Sequence, residues 1–142
     1  MEEVIMNTAK TLELLQSEAA YTRMCELYGA EKAEENIRRY GELVKKFREN
    51  FGENDILMFS SPGRTEISGN HTDHNHGKVL AGSINLDCVG IAARNESSRV
   101  NIISETFQQK FTIDLNDLQP SDKKAGTVDL VKGLLKGFQE SG

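Results

Sequence analysis

The sequence has no tryptophan, two cysteines and two prolines among its 142 residues. Cys25 and Cys88 lie far apart without CxxC or disulfide-scaffold spacing, which predicts buried, unpaired thiols and a reducing compartment. No apolar run approaches the roughly 20 residues of a membrane-spanning helix, and the start MEEVIMNTAK lacks a signal peptide's basic and apolar regions. We therefore expect a cytoplasmic protein that does not enter a membrane.

The chain also lacks an excess of positive charge. Its net charge is -5, and acidic and basic residues are mixed rather than grouped in blocks. No broad basic surface is available to neutralise the phosphates of a nucleic acid, so DNA and RNA binding are not expected. The 37% apolar and 27% charged residues are typical of a globular chain that can bury one core.

Apolar residues recur at helical spacing at both ends of the chain. Residues 4–27 predict one or two amphipathic helices, with any interruption near Ser17. Residues 30–50 predict a longer helix with a charged outer face, which ends near Gly52. Residues 128–138 predict a C-terminal helix.

Between these helices the period changes to that of strands. The apolar run at residues 56–61 predicts a strand that ends at Pro62-Gly63, because proline has no amide for a continuing ladder. Residues 78–93 predict a further strand region. VNIIS and KFTIDL, separated by a turn at Glu105-Thr106, predict two more strands.

The sequence therefore predicts the α+β class. We expect one domain over residues 1–142, with a helical arm over 1–53 and a sheet plus helix over 54–142. The sheet is expected to be mixed and largely antiparallel, with about four strands, and the C-terminal helix is expected to cover one of its faces.

The stretch SGNHTDHNHGK contains all three histidines of the chain and Asp73. Histidine and aspartate are common zinc ligands, but HTDHNH does not match the HExxH or HxxxH spacings of known zinc motifs. Asn, Asp, Gly, Ser and Thr are also the residues that solvated turns use. A zinc site and a plain polar turn are therefore both alternatives for this loop.

The flanking residues carry a resemblance to a known family. SSPGRTEISGNHTDHNHGKVLAGSIN resembles the galactokinase signature of the GHMP kinases, PGRxNxIGEHTDYxxGxVLPxAI, from Pro62 through Ile84. The motif-specific part is residues 60–87, although the resemblance extends from about residue 20 to the end. It implies the N-terminal portion of a GHMP kinase, with a fold like ribosomal protein S5 domain 2. No metal-ligating residues are expected.

The resemblance also implies roles for individual residues. Arg64 matches the family's arginine beside the reacting sugar hydroxyl and the transferring phosphoryl group, where a permanent cation with a planar fork suits phosphoryl oxygens. Asp73 matches the aspartate that accepts hydrogen bonds from two sugar hydroxyls. His71 matches the adjacent histidine of the sugar pocket, although it could equally brace the turn.

Several positions depart from the signature. Asn70 stands where the family usually has a glutamate that receives a hydroxyl at the far end of the hexose, which leaves the preferred sugar open. His74 replaces the usual tyrosine, and Glu66 and Ser68 replace the usual asparagine and isoleucine. These departures indicate a divergent branch, and N-acetylgalactosamine, arabinose or another small alcohol remain alternative substrates.

The resemblance implies that the full-length enzyme uses ATP and Mg²⁺ to phosphorylate galactose at the anomeric hydroxyl. The sequence contains no PxxxGLSSSA-like loop to hold the phosphates, and the family's catalytic aspartate has no match in it. We therefore expect this chain alone to be inactive and to bind no cofactor tightly. The alternative is a sugar-binding or regulatory module derived from a GHMP kinase.

Overall fold

The computed structural model describes residues 5–69, 72–121 and 126–141 and divides the chain into two compact units, Met1–Arg94 and Asn95–Gly142. None of the described helices is long and apolar enough to cross a membrane. The elements, in chain order, are β1 (Met6–Asn7), α1 (Thr8–Leu14), α2 (Glu18–Tyr28), α3 (Ala30–Phe51), β2 (Asp55–Ser68), β3 (Leu80–Ala92), β4 (Arg99–Ser104), β5 (Gln109–Asp114) and α4 (Thr127–Ser141). This arrangement confirms the predicted α+β class.

Local capping sets the boundaries of the three N-terminal helices. Ser17 accepts a hydrogen bond from the Ala20 amide at 3.1 Å and starts α2, so the interruption predicted near this residue is confirmed. Gly29 separates α2 from α3 and Gly52 ends α3, with φ values of 84° and 78° that suit glycine. The predicted helix over residues 30–50 is thus confirmed.

The core of the first unit lies between the helices and the sheet. Val44 of α3 and Ile56 of β2 are 0% and 2% exposed, respectively, so they are closed off from water. The apolar faces that the helical and strand periods predict meet here, and their burial is the main favourable term in folding this unit. The buried members of this cluster are Leu15, Met24, Tyr28, Ala33, Tyr40, Val44 and Ile56.

The sheet of the first unit is antiparallel, in the order β1-β2-β3. The predicted end of β2 at Pro62-Gly63 is wrong, because β2 continues to Ser68. Pro62 pairs with Asp87 and Arg64 pairs with Ser83, so β3 supplies three residues opposite Gly63. This register shift is a bulge-like irregularity, a place where a strand tolerates proline.

The same strand pair corrects a second prediction. Cys88 is exposed, whereas the sequence predicts a buried thiol, and Cys25 is half-buried. Cys88 belongs to an apolar run, but it alternates in β3 with Asp87 and Val89 and therefore lies on the opposite side of the strand from them. Both cysteines are free, as the sequence predicts.

The second unit contains β4, β5 and α4. β4 and β5 form the predicted antiparallel hairpin, with a turn over residues 105–108. Ile113 and Leu118 are its buried apolar residues, and Gln139 of α4 donates to the Leu115 carbonyl at 3.2 Å. The described strands thus form two antiparallel sheets, where the sequence predicts one mixed sheet.

Candidate functional site

The signature-like stretch occupies the hairpin of β2 and β3 and the loop between them. Pairing at this end of the hairpin joins Arg64 to Ser83, Glu66 to Ala81 and Ser68 to Leu80. The register shift beside Gly63 separates these pairs from the regular ladder nearer the core. The hairpin therefore presents Arg64 just beyond a bend, a common way to re-aim a side chain next to a site.

Gly69 shapes the entrance of the loop. Its φ of 89° lies in the region that glycine alone adopts without strain, and a Cβ here would overlap the Lys78 carbonyl oxygen. Thr72 closes this turn on the Gly69 carbonyl, with its amide at 3.1 Å and its hydroxyl at 2.5 Å. Gly69 thus lets the two ends of the loop approach closely, and Thr72 closes the turn at its entrance.

Thr72 also organises the second half of the loop. Its carbonyl accepts from the Asn75 amide at 3.1 Å and from the Gly77 amide at 2.7 Å, around a 3-10 turn at Asp73–Asn75. A Cβ at Gly77 would lie 2.5 Å from the Thr72 Cβ, and His76 takes a left-handed φ of 60°. The described part of the loop is therefore an ordered turn, which is held by its own backbone hydrogen bonds and requires glycine at residues 69 and 77.

Arg64 is the predicted site residue whose side chain the structure describes. The Arg64 side chain is 71% exposed, and its Nη2 lies 3.8 Å from Oε1 of Glu66, whose side chain is 22% exposed. This neighbour is absent from the sites predicted from sequence, although Glu66 is a visible departure from the signature. The two residues are two apart on a strand, which places both side chains on one face.

The other predicted residues are located less fully. Asp73 begins the 3-10 turn of the loop, but its side chain lies outside the described part of the structure. Asn70 and His71 also lie outside the described residues. The structure thus brings Arg64 and the backbone of Asp73 onto one hairpin, and the roles of all four residues stay predictions.

The zinc alternative for this loop also stays a prediction. Among the described residues, no group of three or more His, Cys, Asp and Glu side chains could hold a metal ion. His74 and His76 are exposed, and His71 is outside the residues described.

A buried carboxylate on β3 connects the hairpin to the helices. Asp87, only 5% exposed, accepts hydrogen bonds from Arg39 Nη1 at 2.6 Å, Tyr28 Oη at 2.6 Å and Ser60 Oγ at 2.5 Å. Burial opposes ionisation, but the hydrogen bonds from Ser60, Tyr28 and Arg39 outweigh it and hold the pKa of Asp87 below its ordinary value. The ionised carboxylate therefore links β3 to three other elements, α2, α3 and β2.

The same network also reaches the backbone of β3. Pro62 lies opposite Asp87 and has no amide hydrogen, and Arg39 Nη2 donates to the Asp87 carbonyl at 2.9 Å. The Tyr28 and Tyr40 hydroxyls lie 2.8 Å apart, and burial and the Asp87 hydrogen bond raise the pKa of Tyr28. The sequence signal that we missed is one aspartate within the apolar run SINLDCVGIA.

Comparisons with known proteins identify the hairpin. A family model described as the galactokinase galactose-binding signature matches residues 45–94. Over 107 residues, 75% of this chain, the sequence is 32% identical to a galactokinase of Clostridium tetani, of which the match covers 27%. It is 35% identical to a galactokinase of Lactococcus lactis over 76% of this chain and 28% of the relative. It is 37% identical to a galactokinase of Ligilactobacillus salivarius over 68% of this chain and 25% of the relative.

The match spans the end of α3, the hairpin and its loop, so it places this chain among proteins that carry the galactose-binding signature. The family model and these relatives support a galactokinase N-terminal fragment, as the resemblance of the signature implies. The chain spans about a quarter of the length of the curated relatives that it matches, with 27%, 28% and 25% of the three covered. A search of solved structures finds no match.

Proposed function

We propose that this chain is the N-terminal, sugar-binding portion of a galactokinase of the GHMP kinase class, with a fold like ribosomal protein S5 domain 2. The parent reaction is transfer of the γ-phosphoryl group of ATP to the anomeric hydroxyl of galactose. The observation that carries this proposal is the galactose-binding signature match over the β2–β3 hairpin. The division into a helical arm over 1–53 and a sheet plus helix over 54–142 remains part of the proposal.

Arg64 is the residue that we propose to meet the phosphoryl group. Its exposed guanidinium on the bent end of β2 fits a ligand that approaches from solvent. Phosphoryl transfer spreads negative charge over equatorial oxygens, so an oriented cation lowers the barrier through electrostatics and positioning. Arg64 would act as an electrostatic group, and no proton transfer is assigned to it.

Asn70, His71 and Asp73 are the residues that we propose to hold the sugar. An ionised Asp73 accepts from two neighbouring hydroxyls, while Asn70 can both accept and donate. The turn built on Thr72 supports this proposal, because it fixes the backbone on both sides of these positions. Fixed hydrogen-bonding groups orient the anomeric hydroxyl and reduce the entropic cost of reaction.

ATP with Mg²⁺ would supply the transferred phosphoryl group in the parent enzyme. Arg64 suits a phosphoryl oxygen, but the sequence has no stretch resembling the family's phosphate-binding loop. We therefore propose that this chain alone neither binds the nucleotide tightly nor transfers phosphate. A coupled assay for ADP should show no galactose-dependent activity; activity that disappears on Arg64→Ala would contradict this inactivity.

A second candidate is a non-catalytic sugar-binding or regulatory module, or part of a kinase for a related sugar. The signature match lies wholly within the compact unit Met1–Arg94, so the hairpin can be held without the rest of a kinase. The departure at Asn70 leaves the identity of the sugar open.

The expected cytoplasmic location and the absence of nucleic-acid and membrane partners also remain predictions.

Isothermal titration with galactose separates these two candidates. A portion of a kinase should bind galactose weakly or not at all, whereas a dedicated module should saturate and lose binding on Asp73→Asn. Titrations with N-acetylgalactosamine and arabinose, and of Asn70→Glu with galactose, test the sugar. Saturable galactose binding that Asp73→Asn leaves intact would contradict the proposed site.

A further inference from the structure

The signature hairpin carries a negative charge beside its proposed phosphoryl contact. Glu66 Oε1 lies 3.8 Å from Arg64 Nη2. The pairing of Arg64 with Ser83, of Thr65 with Gly82 and of Glu66 with Ala81 is regular, so both side chains lie on one face of β2. The residues opposite are small and interpose no bulky side chain between them.

The two partners differ in how firmly the surrounding structure holds them. The Glu66 side chain is 22% exposed, whereas that of Arg64 is 71% exposed, so the carboxylate has less room to move than the guanidinium. A largely covered carboxylate has fewer rotamers in which to leave the site. An anion that approaches Arg64 therefore meets a negative charge close to the cation.

We propose that Glu66 is a specificity-determining residue of the Arg64 site, one that weakens binding of phosphate and phosphate monoesters relative to neutral sugars. The carboxylate competes with phosphoryl oxygens for the guanidinium and repels their charge. This inference rests on the proposed role of Arg64 in the function above, and it goes beyond that role by assigning a residue that limits anion affinity.

The test uses the whole chain with inorganic phosphate as the probe at constant ionic strength, followed through the ¹⁵Nε resonance of Arg64. Glu66→Gln keeps the shape of the side chain and removes its charge, and it should tighten phosphate binding about threefold at low salt. Raising the salt to about 0.5 M should shrink this gain, because ions reach the exposed Arg64 side chain and screen its interactions. Glu66→Asn is the second variant, in case Gln disturbs the strand.

Two further variants serve as controls. Glu26→Gln removes the same charge from another exposed pair, Arg23–Glu26 at 2.8 Å on α2, and should leave phosphate binding at Arg64 unchanged. In the Arg64→Ala background, observed by calorimetry, Glu66→Gln should no longer tighten binding. If Glu26→Gln gives the same gain as Glu66→Gln, net charge is responsible and the inference is overturned.

The outcomes separate this inference from the proposed function. If Arg64→Ala abolishes phosphate binding but Glu66→Gln and Glu66→Asn do not tighten it, the inference fails while the role of Arg64 stands. If Arg64→Ala leaves phosphate binding intact, the proposed role of Arg64 fails, and the inference fails with it. If the gain occurs without any galactose binding, Glu66 limits anion affinity as proposed, and only the sugar-binding part is contradicted.

Discussion

Asp87 concentrates the polar interactions between the helices and the hairpin on one carboxylate. It receives three side-chain hydrogen bonds, from Arg39, Tyr28 and Ser60. A buried ion pair contributes little net stability compared with an apolar replacement, but removing one partner leaves the other charge buried and unpaired. The Arg39 side chain is 38% exposed, so water can partly reach it. Leaving Arg39 unpaired therefore costs less free energy of unfolding than leaving a fully buried charge unpaired.

Replacing Asp87 should destabilise the first unit, and the loss should grow with the number of hydrogen-bond acceptors that the substitution removes. Asp87→Ala leaves Arg39 and Tyr28 without their shared acceptor and should cost about 2–3 kcal/mol in the free energy of unfolding. Asp87→Asn keeps one acceptor oxygen and should cost about 1 kcal/mol. Urea denaturation at pH 7 measures both, with Asp55→Asn, at the exposed start of β2, as the control. Equal midpoints for Asp87→Ala and Asp55→Asn would contradict this role.

The contribution of Asp87 to the free energy of unfolding should also depend on pH and should decrease on acidification. The folded-state pKa of Asp87 lies below the unfolded value of about 3.9, so its ionisation stabilises the fold fully above that pH. This stabilisation is lost as the pH falls through the folded-state pKa. The difference in urea midpoint between wild type and Asp87→Asn should therefore be constant near pH 7 and shrink towards pH 3. A difference that grows on acidification would be inconsistent with this linkage.

Strand β2 shows which parts of an element the sequence can predict. The apolar run at residues 56–61 predicts the buried portion of the strand. Side chains that pack against the helices must be apolar, and this requirement is visible in the sequence. The extension from Pro62 to Ser68 leaves no such pattern, since it depends on pairing with β3 across a register shift. The separate β4–β5 sheet is likewise decided by pairing, although both strands could be predicted.

The loop between β2 and β3 shows the same division. Its position and its family could be predicted from the letters between Pro62 and Ile84, because the signature is long. The pairing of Arg64 with Glu66 and the burial of Asp87 could not, since each depends on which residues the fold brings together. Periodicity reports one element at a time and carries no information on such contacts.

Gly69 should be the glycine of the loop that tolerates substitution worst. In Gly69→Ala the alanine would have to adopt a left-handed conformation, which costs roughly 1–2 kcal/mol. The backbone would also have to shift to remove the overlap between the new Cβ and the Lys78 carbonyl oxygen. Gly82→Ala, on β3, has open space around its Cβ and should change stability by less than about 0.5 kcal/mol. Urea midpoints compare the two variants. Equal effects would show that the turn does not require glycine at residue 69.

The two compact units differ in how much apolar surface they bury. Among the residues that the structure describes, the first unit has a cluster of seven buried hydrophobic residues, whereas the second unit has two, Ile113 and Leu118. A unit of this size with so small a core is marginal by itself, because little of its surface leaves water on folding. We therefore expect the second unit to open at a lower free energy than the first.

Core truncations in the two units should show whether they unfold separately. Ile113→Ala should cost about 2–4 kcal/mol in β4 and β5, and Val44→Ala about 2 kcal/mol in α3 and the β2–β3 hairpin. Native-state hydrogen exchange then measures each unit by its own amides. Ile113→Ala should lower protection in β5 and leave α3 unchanged, while Val44→Ala should do the reverse. If either substitution lowered protection equally in α3 and β5, the chain would unfold as one cooperative body, and the weaker core of the second unit would draw on the stability of the first.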